Sequence, residues 1–357
     1  MSYRFFLGCY TQQNTSSEAM PAKGIYTIEI SEEGKLIGEP RLVAKQVSPT
    51  YFYLTKNKKT LYAVSEPGEG ARGLIVAYHV AEDGSLTAFS KQVSARGGLC
   101  HVMMDQEEKN LIVIAYHDAT IESYPIDEEG KITPMFCLRH HIGSGPVIDR
   151  QEAAHTHSIN FTPDYRYAVV CDLGIDQLRV YTLITETGKL HRAPGKNVIC
   201  PPGSGPRHMV FSPDGRFAYV ACELNSEVLT LSYDPQMGLK LLDRTSTLSP
   251  DFSSSRNYPA AIRITKDGRH LYVSNRGEDT IALFDVDNES GKIMHRKSFS
   301  TLGWYPRDFI LSEDERYLIA VNQLSDNIAI YARDENGELT LTDEKTIVQK
   351  PIALMEF

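Results

Sequence analysis

The 357-residue sequence has little of what marks several large classes of protein. No apolar run approaches the roughly 20 residues that a membrane-spanning helix needs, so we expect no membrane partner. The cysteines show no CxxC spacing, and most lie in strand-like apolar runs, as reduced, buried thiols of a cytosolic protein do. There are six of them: Cys9, Cys100, Cys137, Cys171, Cys200 and Cys222.

Positive charge is also scarce. Lys and Arg number 37 against 46 Asp and Glu, and the net charge of −9 argues against nucleic acid as the main partner. The first residues, MSYRFFLGCYT, run directly into a strand-like segment without a positively charged leader. We therefore expect no secretory signal and a cytoplasmic protein. Nothing in the composition favours one oligomeric state over another.

What the sequence has in abundance is repetition. A short acidic or polar run followed by Gly recurs seven times, with 46 to 58 residues between successive glycines. Gly readily takes the positive φ of a tight turn, so each copy predicts a hairpin between two apolar strands. Seven hairpins at this period are typical of a β-propeller with seven four-stranded blades. The glycines are Gly34, Gly84, Gly130, Gly188, Gly238, Gly291 and Gly337.

A second repeat, an apolar strand, a polar turn and a returning apolar strand, has six complete copies. Their turns contain Asn57, Glu107, Asp164, Asp214, Asp267 and Asp314. The seventh copy is split, with PIALMEF at the C-terminus and YRFFLGCYT at the N-terminus. We therefore predict an all-β, seven-bladed propeller that spans residues 1–357 as one domain. Its last blade is closed by pairing of the C-terminal strand with the N-terminal strands, which removes two free sheet edges.

The turn midpoints predict which residues meet at one rim, where the first strand of each blade starts and the second ends. They pair Arg207 with Glu223, Ala260 with Arg276, Arg307 with Gln323, and His157 with Leu173. His157, Arg207, Glu223, Arg276 and Arg307 then cluster around one mouth. Three arginines, a carboxylate and an imidazole make an anion-binding site with an acid/base pair. An ordinary ion pair between Arg207 and Glu223 explains the spacing equally well.

The histidines near this mouth allow more than one interpretation. His155 and His157 form an H-x-H sequence, which places both side chains on one face of a strand. They could be two metal ligands, but a third ligand at a recognised spacing is missing, and only Asp172 or Glu152 could serve. A catalytic His157 and a structural histidine are the alternatives.

Two longer loops are predicted to reach the same mouth, since loops on a rigid scaffold often carry specificity. The segment GSGPVIDRQEAAHTH carries Asp149, Arg150, Gln151 and Glu152, and SSSRNYP carries Arg256 as a spare cation. The single tryptophan, Trp304, precedes Arg307 and is either a wall of the site or simple packing.

Several longer segments carry a resemblance to a known family. FFLGCYT, HTHSINFTPDYRYAVVCDLGIDQLRVY, GSGPRHMVFSPDGRFAYVACELNSEV, HLYVSNRGEDTIALFDVD and GWYPRDFILSEDERYLIAVNQLSDNIAIY resemble, blade by blade, the seven-bladed lactonase family. That family contains propeller-type 6-phosphogluconolactonases and fungal carboxy-muconate cyclases. The ordered strings H-S-x-x-F, D-L-G-x-D, P-R-H, E-L-N and N-R-G make the match specific.

The resemblance implies a lactone-opening or lactone-forming site whose working group is similar to His157, Arg207, Glu223 and Arg276. We therefore expect hydrolysis of 6-phospho-glucono-δ-lactone, with no metal or organic cofactor because a lactone is already an activated ester. Arg207 and Arg276 would hold the anionic sugar lactone and the oxyanion, while His157 and Glu223 share the proton transfers in either order. The further candidates for substrate binding are Arg307 and Arg256 for the phosphate, together with His155 and Gln323.

Two other functions fit the same residues. One is hydrolysis or cyclisation of a different, unphosphorylated lactone at the same site. The other is a non-catalytic binding propeller, but that function favours an apolar, aromatic mouth, whereas this one is cationic.

Overall fold

The computed structural model describes residues 2–12, 19–68, 70–254 and 256–357. These residues form seven antiparallel sheets, which are the blades of a propeller, as predicted. Two 3-10 turns, Leu173–Ile175 and Pro194–Lys196, interrupt the strands. No helix among the described residues is long and apolar enough to cross a membrane.

Six blades follow one another along the chain. Blade 2 contains β4 (Pro49–Leu54), β5 (Thr60–Ser65), β6 (Leu74–Val80) and β7 (Leu86–Val93). Blade 3 contains β8 (Leu99–Met104), β9 (Asn110–Ala115), β10 (Thr120–Pro125) and β11 (Cys137–His140). Blade 4 contains β12 (Thr156–Phe161), β13 (Ala168–Asp172), β14 (Gln177–Ile184) and β15 (Lys189–Arg192), and the short β16 (Val198–Ile199) pairs with β14.

The remaining consecutive blades repeat this order. Blade 5 contains β17 (Pro206–Phe211), β18 (Phe217–Cys222), β19 (Glu227–Asp234) and β20 (Gly238–Ser246). Blade 6 contains β21 (Tyr258–Ile264), β22 (His270–Arg276), β23 (Thr280–Val286) and β24 (Ile293–Ser300). Blade 7 contains β25 (Pro306–Leu311), β26 (Tyr317–Asn322), β27 (Asn327–Arg333) and β28 (Leu339–Thr346).

Blade 1 joins the two ends of the chain. Its order is β29 (Pro351–Glu356), β1 (Tyr3–Cys9), β2 (Gly24–Ile30) and β3 (Leu36–Lys45). Phe5 lies opposite Glu356 and Leu7 opposite Leu354, and the Tyr10 N–H donates to the Lys350 carbonyl at 3.0 Å. The predicted closure is confirmed, and β29 covers the edge of β1 that would otherwise be open.

The repeated glycines form the predicted turns between the third and fourth strands. All seven have positive φ, from 72° at Gly188 to 86° at Gly238. Three of these turns also receive a buried tyrosine from the preceding blade. The hydroxyls of Tyr62, Tyr219 and Tyr272 donate to the carbonyls of Gly130, Gly291 and Gly337 at 2.8, 3.0 and 2.7 Å. The sequence repeat therefore also links neighbouring blades.

All four predicted cross-strand pairs at the rim are wrong by two residues. The Glu223 N–H donates to the Gly205 carbonyl (2.8 Å), so Glu223 pairs with Gly205 and not with Arg207. Likewise Leu173 pairs with His155 instead of His157, Gln323 with Tyr305 instead of Arg307, and Arg276 with Tyr258 instead of Ala260.

The shift has a recurring physical cause, a β-bulge near the start of each inner strand. In blade 5 the pairing skips Arg207 between Pro206 and His208, which shifts the register by one residue. The turn is also centred half a residue before Gly215, which accounts for the second residue of the shift. The seven skipped positions are Thr50, Cys100, His157, Arg207, Ala260–Ala261, Arg307 and Ile352. A bulge leaves one residue outside the ladder and re-aims its side chain. The bulge residues form the same rim column that the repeat alignment predicted.

Candidate active site

A cavity of about 280 Å³ opens at the rim where the bulges lie. Bulge residues contribute Cys100, His157 and Arg307, and the residues that end or follow the second strands contribute Glu66, Tyr116, Glu223 and Arg276. The remaining walls come from Tyr10, His117, Arg150 and Tyr305. Blades 2 to 7, together with Tyr10 at the closure point of blade 1, thus supply side chains to one cavity.

Glu223 is the centre of its charge network. Its Oε2 atom lies 2.9 Å from Nε of Arg207 and 2.7 Å from Nη2 of Arg276, and Oε1 accepts a hydrogen bond from Nη2 of Arg150. Burial by itself would raise the pKa of Glu223, but Arg276, Arg207 and Arg150 outweigh it and hold that pKa well below its usual range. The carboxylate is therefore ionised and already saturated with cations, which makes it a poor proton acceptor.

His157 has the opposite character. Its ring is buried, with centroids 5.5 Å from Tyr116 and 5.2 Å from His208, and its Nδ1 atom has no hydrogen-bond partner among the described residues. Burial, followed by the charge of Arg207, lowers the pKa of His157 well below its usual value. The imidazole is therefore neutral at neutral pH, and one of its ring nitrogens carries no proton.

Arg276 is held by both a hydrogen bond and an aromatic ring. Its Nε donates to the Tyr258 carbonyl at 3.0 Å, and its guanidinium lies 4.9 Å from the centroid of the Tyr305 ring. Arg207 is buried behind the cavity and donates from Nη1 to the Ala260 carbonyl at 2.7 Å. Arg276 therefore faces the cavity, whereas Arg207 supports Glu223 from behind.

A second carboxylate, Glu66, lines the same cavity as Arg307 and interacts with it electrostatically. Its oxygens contact the Tyr10 hydroxyl at 2.7 Å and Nε2 of His117 at 3.2 Å, and the Arg307 guanidinium lies 5.3 Å from the centroid of the Tyr10 ring. Burial opposes ionisation of Glu66, but His117, Arg307 and Tyr10 outweigh it and lower its pKa. The site therefore contains two ionised carboxylates.

The loop that precedes β12 delivers Arg150. Its neighbour Gln151 is buried and donates from Nε2 to the Leu173 carbonyl and to Oδ1 of Asp176, both at 2.8 Å. This anchor fixes the backbone beside Arg150, whose side chain remains one-third exposed. The sequence predicted that this loop reaches the mouth, but it did not show which of its polar residues faces the cavity.

Three of the predicted substrate-binding residues do not line the cavity. His155 stacks on Tyr116 at 4.6 Å and is held through Nε2 by Glu152 at 2.9 Å. Arg256 is exposed on its loop, and the Gln323 side chain lies outside the cavity walls.

Two further expectations have a structural answer. Trp304 is 66% exposed and not part of the cavity walls, so it is neither a wall of this site nor core packing. Within the described ranges, no three His, Cys, Asp or Glu side chains are grouped in a way that could hold a metal ion, and His155 points to Glu152 and Tyr116 instead.

Sequence reasoning missed two aromatic walls, Tyr10 and Tyr305. Both contact arginines, and each lies directly beside a strand end, Tyr10 after β1 and Tyr305 before β25. Tyr305 has a φ of 67°. Gly98 and Gly205, which likewise lie two residues before a bulge, also have positive φ. Those glycines were the only sequence signal that the chain bends there.

Comparisons with known proteins agree with this architecture. A family model described as "Lactonase, 7-bladed beta-propeller" matches residues 4–356. A protein of Bacillus subtilis (strain 168) named 6-phosphogluconolactonase is 36% identical over 99% of this chain and 97% of its own length.

Solved structures give the same result. A protein of Pseudomonas aeruginosa described as a periplasmic gluconolactonase, PpgL, is 28% identical with a TM-score of 0.91, covering 100% of this chain and 99% of its own. A putative 6-phosphogluconolactonase of Bacteroides fragilis is 28% identical with a TM-score of 0.89, covering 100% and 98%. The chain is a lactone hydrolase and belongs to the seven-bladed β-propeller lactonase family.

Proposed function

We propose that the protein hydrolyses 6-phospho-glucono-δ-lactone to 6-phosphogluconate in the cytoplasm, as a step of the pentose phosphate pathway. The observation that carries the proposal is the neutral imidazole of His157, whose Nδ1 atom has no hydrogen-bond partner among the described residues, in a cavity with excess positive charge. Four arginines (Arg150, Arg207, Arg276 and Arg307) surround only two carboxylates, which suits an anionic substrate. The name of the Bacillus subtilis relative supports the phosphorylated lactone in particular.

In the proposed reaction, His157 accepts a proton from water as the water oxygen attacks the lactone carbonyl. Arg276 faces the cavity and stabilises the negative charge that develops on the carbonyl oxygen. When the tetrahedral intermediate collapses, the C–O bond to the ring oxygen breaks, and protonated His157 returns its proton to that alkoxide. The new carboxylic acid then loses its own proton to solvent.

In this scheme Glu223 is a positioning residue and not the base. A carboxylate held by three guanidinium groups has little tendency to accept a proton, and its low pKa follows from the same contacts. Its role is to hold Arg276 and Arg150 in place and to limit the positive field on His157.

A second candidate is an unphosphorylated sugar lactone. Glu66 lies close enough to Arg307 to interact with it electrostatically, so that arginine is partly compensated before any substrate binds. The Pseudomonas aeruginosa neighbour, described as a gluconolactonase, points in the same direction.

The deciding experiment measures hydrolysis of freshly prepared 6-phospho-glucono-δ-lactone and of glucono-δ-lactone, with spontaneous hydrolysis subtracted. We expect kcat/KM to be higher for the phosphorylated lactone by roughly 10-fold or more, which corresponds to about 1.4 kcal/mol of extra binding. Equal values, or a preference for glucono-δ-lactone, would favour the second candidate. Absence of turnover on either would contradict the proposed substrate class.

A further inference from the structure

A second cavity, of about 480 Å³, adjoins the first, and His117 belongs to the walls of both. It lies between the loop that follows β5, the loop between β7 and β8, and the turn after β9. Two arginines, Arg72 and Arg96, and one carboxylate, Asp118, line it.

The two arginine-bearing loops are built to lie close together. Gly73 N–H donates to the Arg96 carbonyl and Ser94 N–H donates to the Gly73 carbonyl, both at 2.9 Å. A Cβ atom at Gly73 would come within 2.3 Å of the Leu99 side chain, and one at Gly97 within 2.6 Å of the Ala71 carbonyl oxygen. Only glycine permits this approach, which fixes the backbones of Arg72 and Arg96 beside one another.

The arginines of this cavity are paired less directly than those of the first cavity, since Arg96 acts electrostatically on the carboxyl of Glu122 without forming an ion pair among the described residues. Arg72 and Arg96 are exposed, and within the part of the chain that the structure describes neither forms an ion pair. Asp118 accepts a hydrogen bond from Gly97 N–H at 3.1 Å, so its carboxylate is already engaged by the backbone. In the first cavity, by contrast, three guanidinium groups contact Glu223 directly.

We propose that the second cavity is the binding site for the phosphate group of the substrate, with Arg72 and Arg96 as its ligands. The inference rests on the proposed function, and it replaces Arg307 and Arg256 as the phosphate ligands. A phosphorylated sugar lactone carries its phosphate on the carbon farthest from the carbonyl, so a carbonyl beside His157 directs the phosphate out of the first cavity. His117 marks the passage between the two cavities.

Arginine is well suited to this role because its planar fork donates two parallel hydrogen bonds to phosphate oxygens. The position also separates the two tasks of the site. The arginines around Glu223 act on the carbonyl, whereas Arg72 and Arg96 contact only the distant phosphate and set specificity.

The test compares the full-length protein with Arg72→Gln, Arg96→Gln and the double variant on both lactones. We expect the double variant to lower kcat/KM for the phosphorylated lactone roughly 10- to 100-fold, mainly through KM, as loss of charge-assisted hydrogen bonds predicts. For glucono-δ-lactone the change should stay below about twofold. Arg244→Gln is the matched control, since it removes an exposed arginine of β20 that lines neither cavity.

Other results would overturn the inference in distinguishable ways. One such result is that wild type hydrolyses the phosphorylated lactone while the double variant shows an equal loss of kcat/KM on both lactones, or no loss on either. In that case the phosphate subsite is wrong and the proposed function stands. A phosphate-selective loss in Arg307→Gln or Arg256→Gln alone would place the phosphate elsewhere. Binding of inorganic phosphate that the double variant loses, without any contrast between lactones, would indicate an independent anion site. If wild type does not hydrolyse the phosphorylated lactone, the proposed function fails and the subsite fails with it.

Discussion

At the scale of single residues, Glu223 determines how charge is distributed in the site. One carboxylate accepts contacts from three arginines that belong to two blades and a loop. Such a group organises its neighbours and is protected from protonation by them. In the proposed reaction the proton acceptor is instead His157, whose pKa is lowered by burial first and then by the charge of Arg207.

Substituting Glu223→Gln should separate these roles. Glu223 raises the pKa of His157 against the arginines, so its loss should lower that pKa further and shift the acidic limb of the kcat/KM profile to lower pH. We expect kcat to fall roughly 10²-fold because the arginines lose their anchor and the base weakens. The measurement is the pH–rate profile on the better of the two lactones.

The control for this change is Glu152→Gln, the same substitution at an exposed carboxylate on the neighbouring loop, which should alter kcat/KM less than about twofold. If Glu223 were itself the base, the variant would lose the acidic limb altogether instead of shifting it.

A second prediction concerns acid stability. Burial, followed by Arg263 and Arg207, lowers the pKa of His101 from 6.5 to about 3, so the folded state binds fewer protons than the unfolded state between these values. Stability conferred by neutral His101 is complete above pH 6.5 and is lost as the pH falls. The unfolding free energy of wild type should therefore decrease by about 2 kcal/mol from this residue alone between pH 7 and pH 5.

His101→Gln removes that proton linkage and should reduce the loss by the same amount. Urea unfolding at pH 7 and pH 5 measures this loss of unfolding free energy. His79→Gln, which replaces an exposed histidine of β6, serves as the control. An unchanged difference between the two pH values would show that His101 is protonated in the folded protein.

At the scale of elements, the tyrosine hydroxyls that reach the neighbouring turns should contribute measurably to stability. Tyr219→Phe removes the hydrogen bond to the Gly291 carbonyl and should lower the free energy of unfolding by about 1 kcal/mol. Tyr165→Phe removes a hydroxyl from a residue that is 40% exposed and should change stability little. Equal effects in chemical unfolding would argue against the role of this contact.

The repeats in the sequence were sufficient to predict the blades, their turns and the closure, because hairpin glycines and strand alternation are local signals. They also predicted the rim column that includes His157, Arg207 and Arg307. They failed on cross-strand register, because a bulge residue such as Arg207 leaves no mark in the apolar pattern. They could not show that Arg256 and Gln323 lie outside the walls of this cavity, because the positions of these side chains depend on how loops pack and not on strand spacing.

At the scale of the whole molecule, ring closure depends on one strand. Deleting residues 351–357 exposes β1 as an open inner edge, so the variant should unfold at lower temperature and aggregate. Thermal unfolding with light scattering measures both effects.

A circular permutant provides the matched control. Phe357 N–H donates to the Arg4 carbonyl at 3.0 Å, so a short linker can join the termini while a new opening is made at the exposed Val47. The permutant retains β29 and should be about as stable as wild type. If the deletion variant melts like wild type, or the permutant melts like the deletion variant, closure by β29 is not what holds the ring.

The bulge in each blade has a consequence for how such a site can change over time. A residue outside the hydrogen-bonded ladder can be substituted without loss of strand pairing. The side chains at the seven bulge positions can therefore change while the blades stay folded. In this chain, His157, Arg207 and Arg307 occupy three of them, whereas Ile352 and Ala260–Ala261 carry no ionisable group. New substrate preferences are therefore best engineered at bulge positions that line the cavity, such as Cys100 and Arg307, because Ile352 and Ala260–Ala261 are buried in the core.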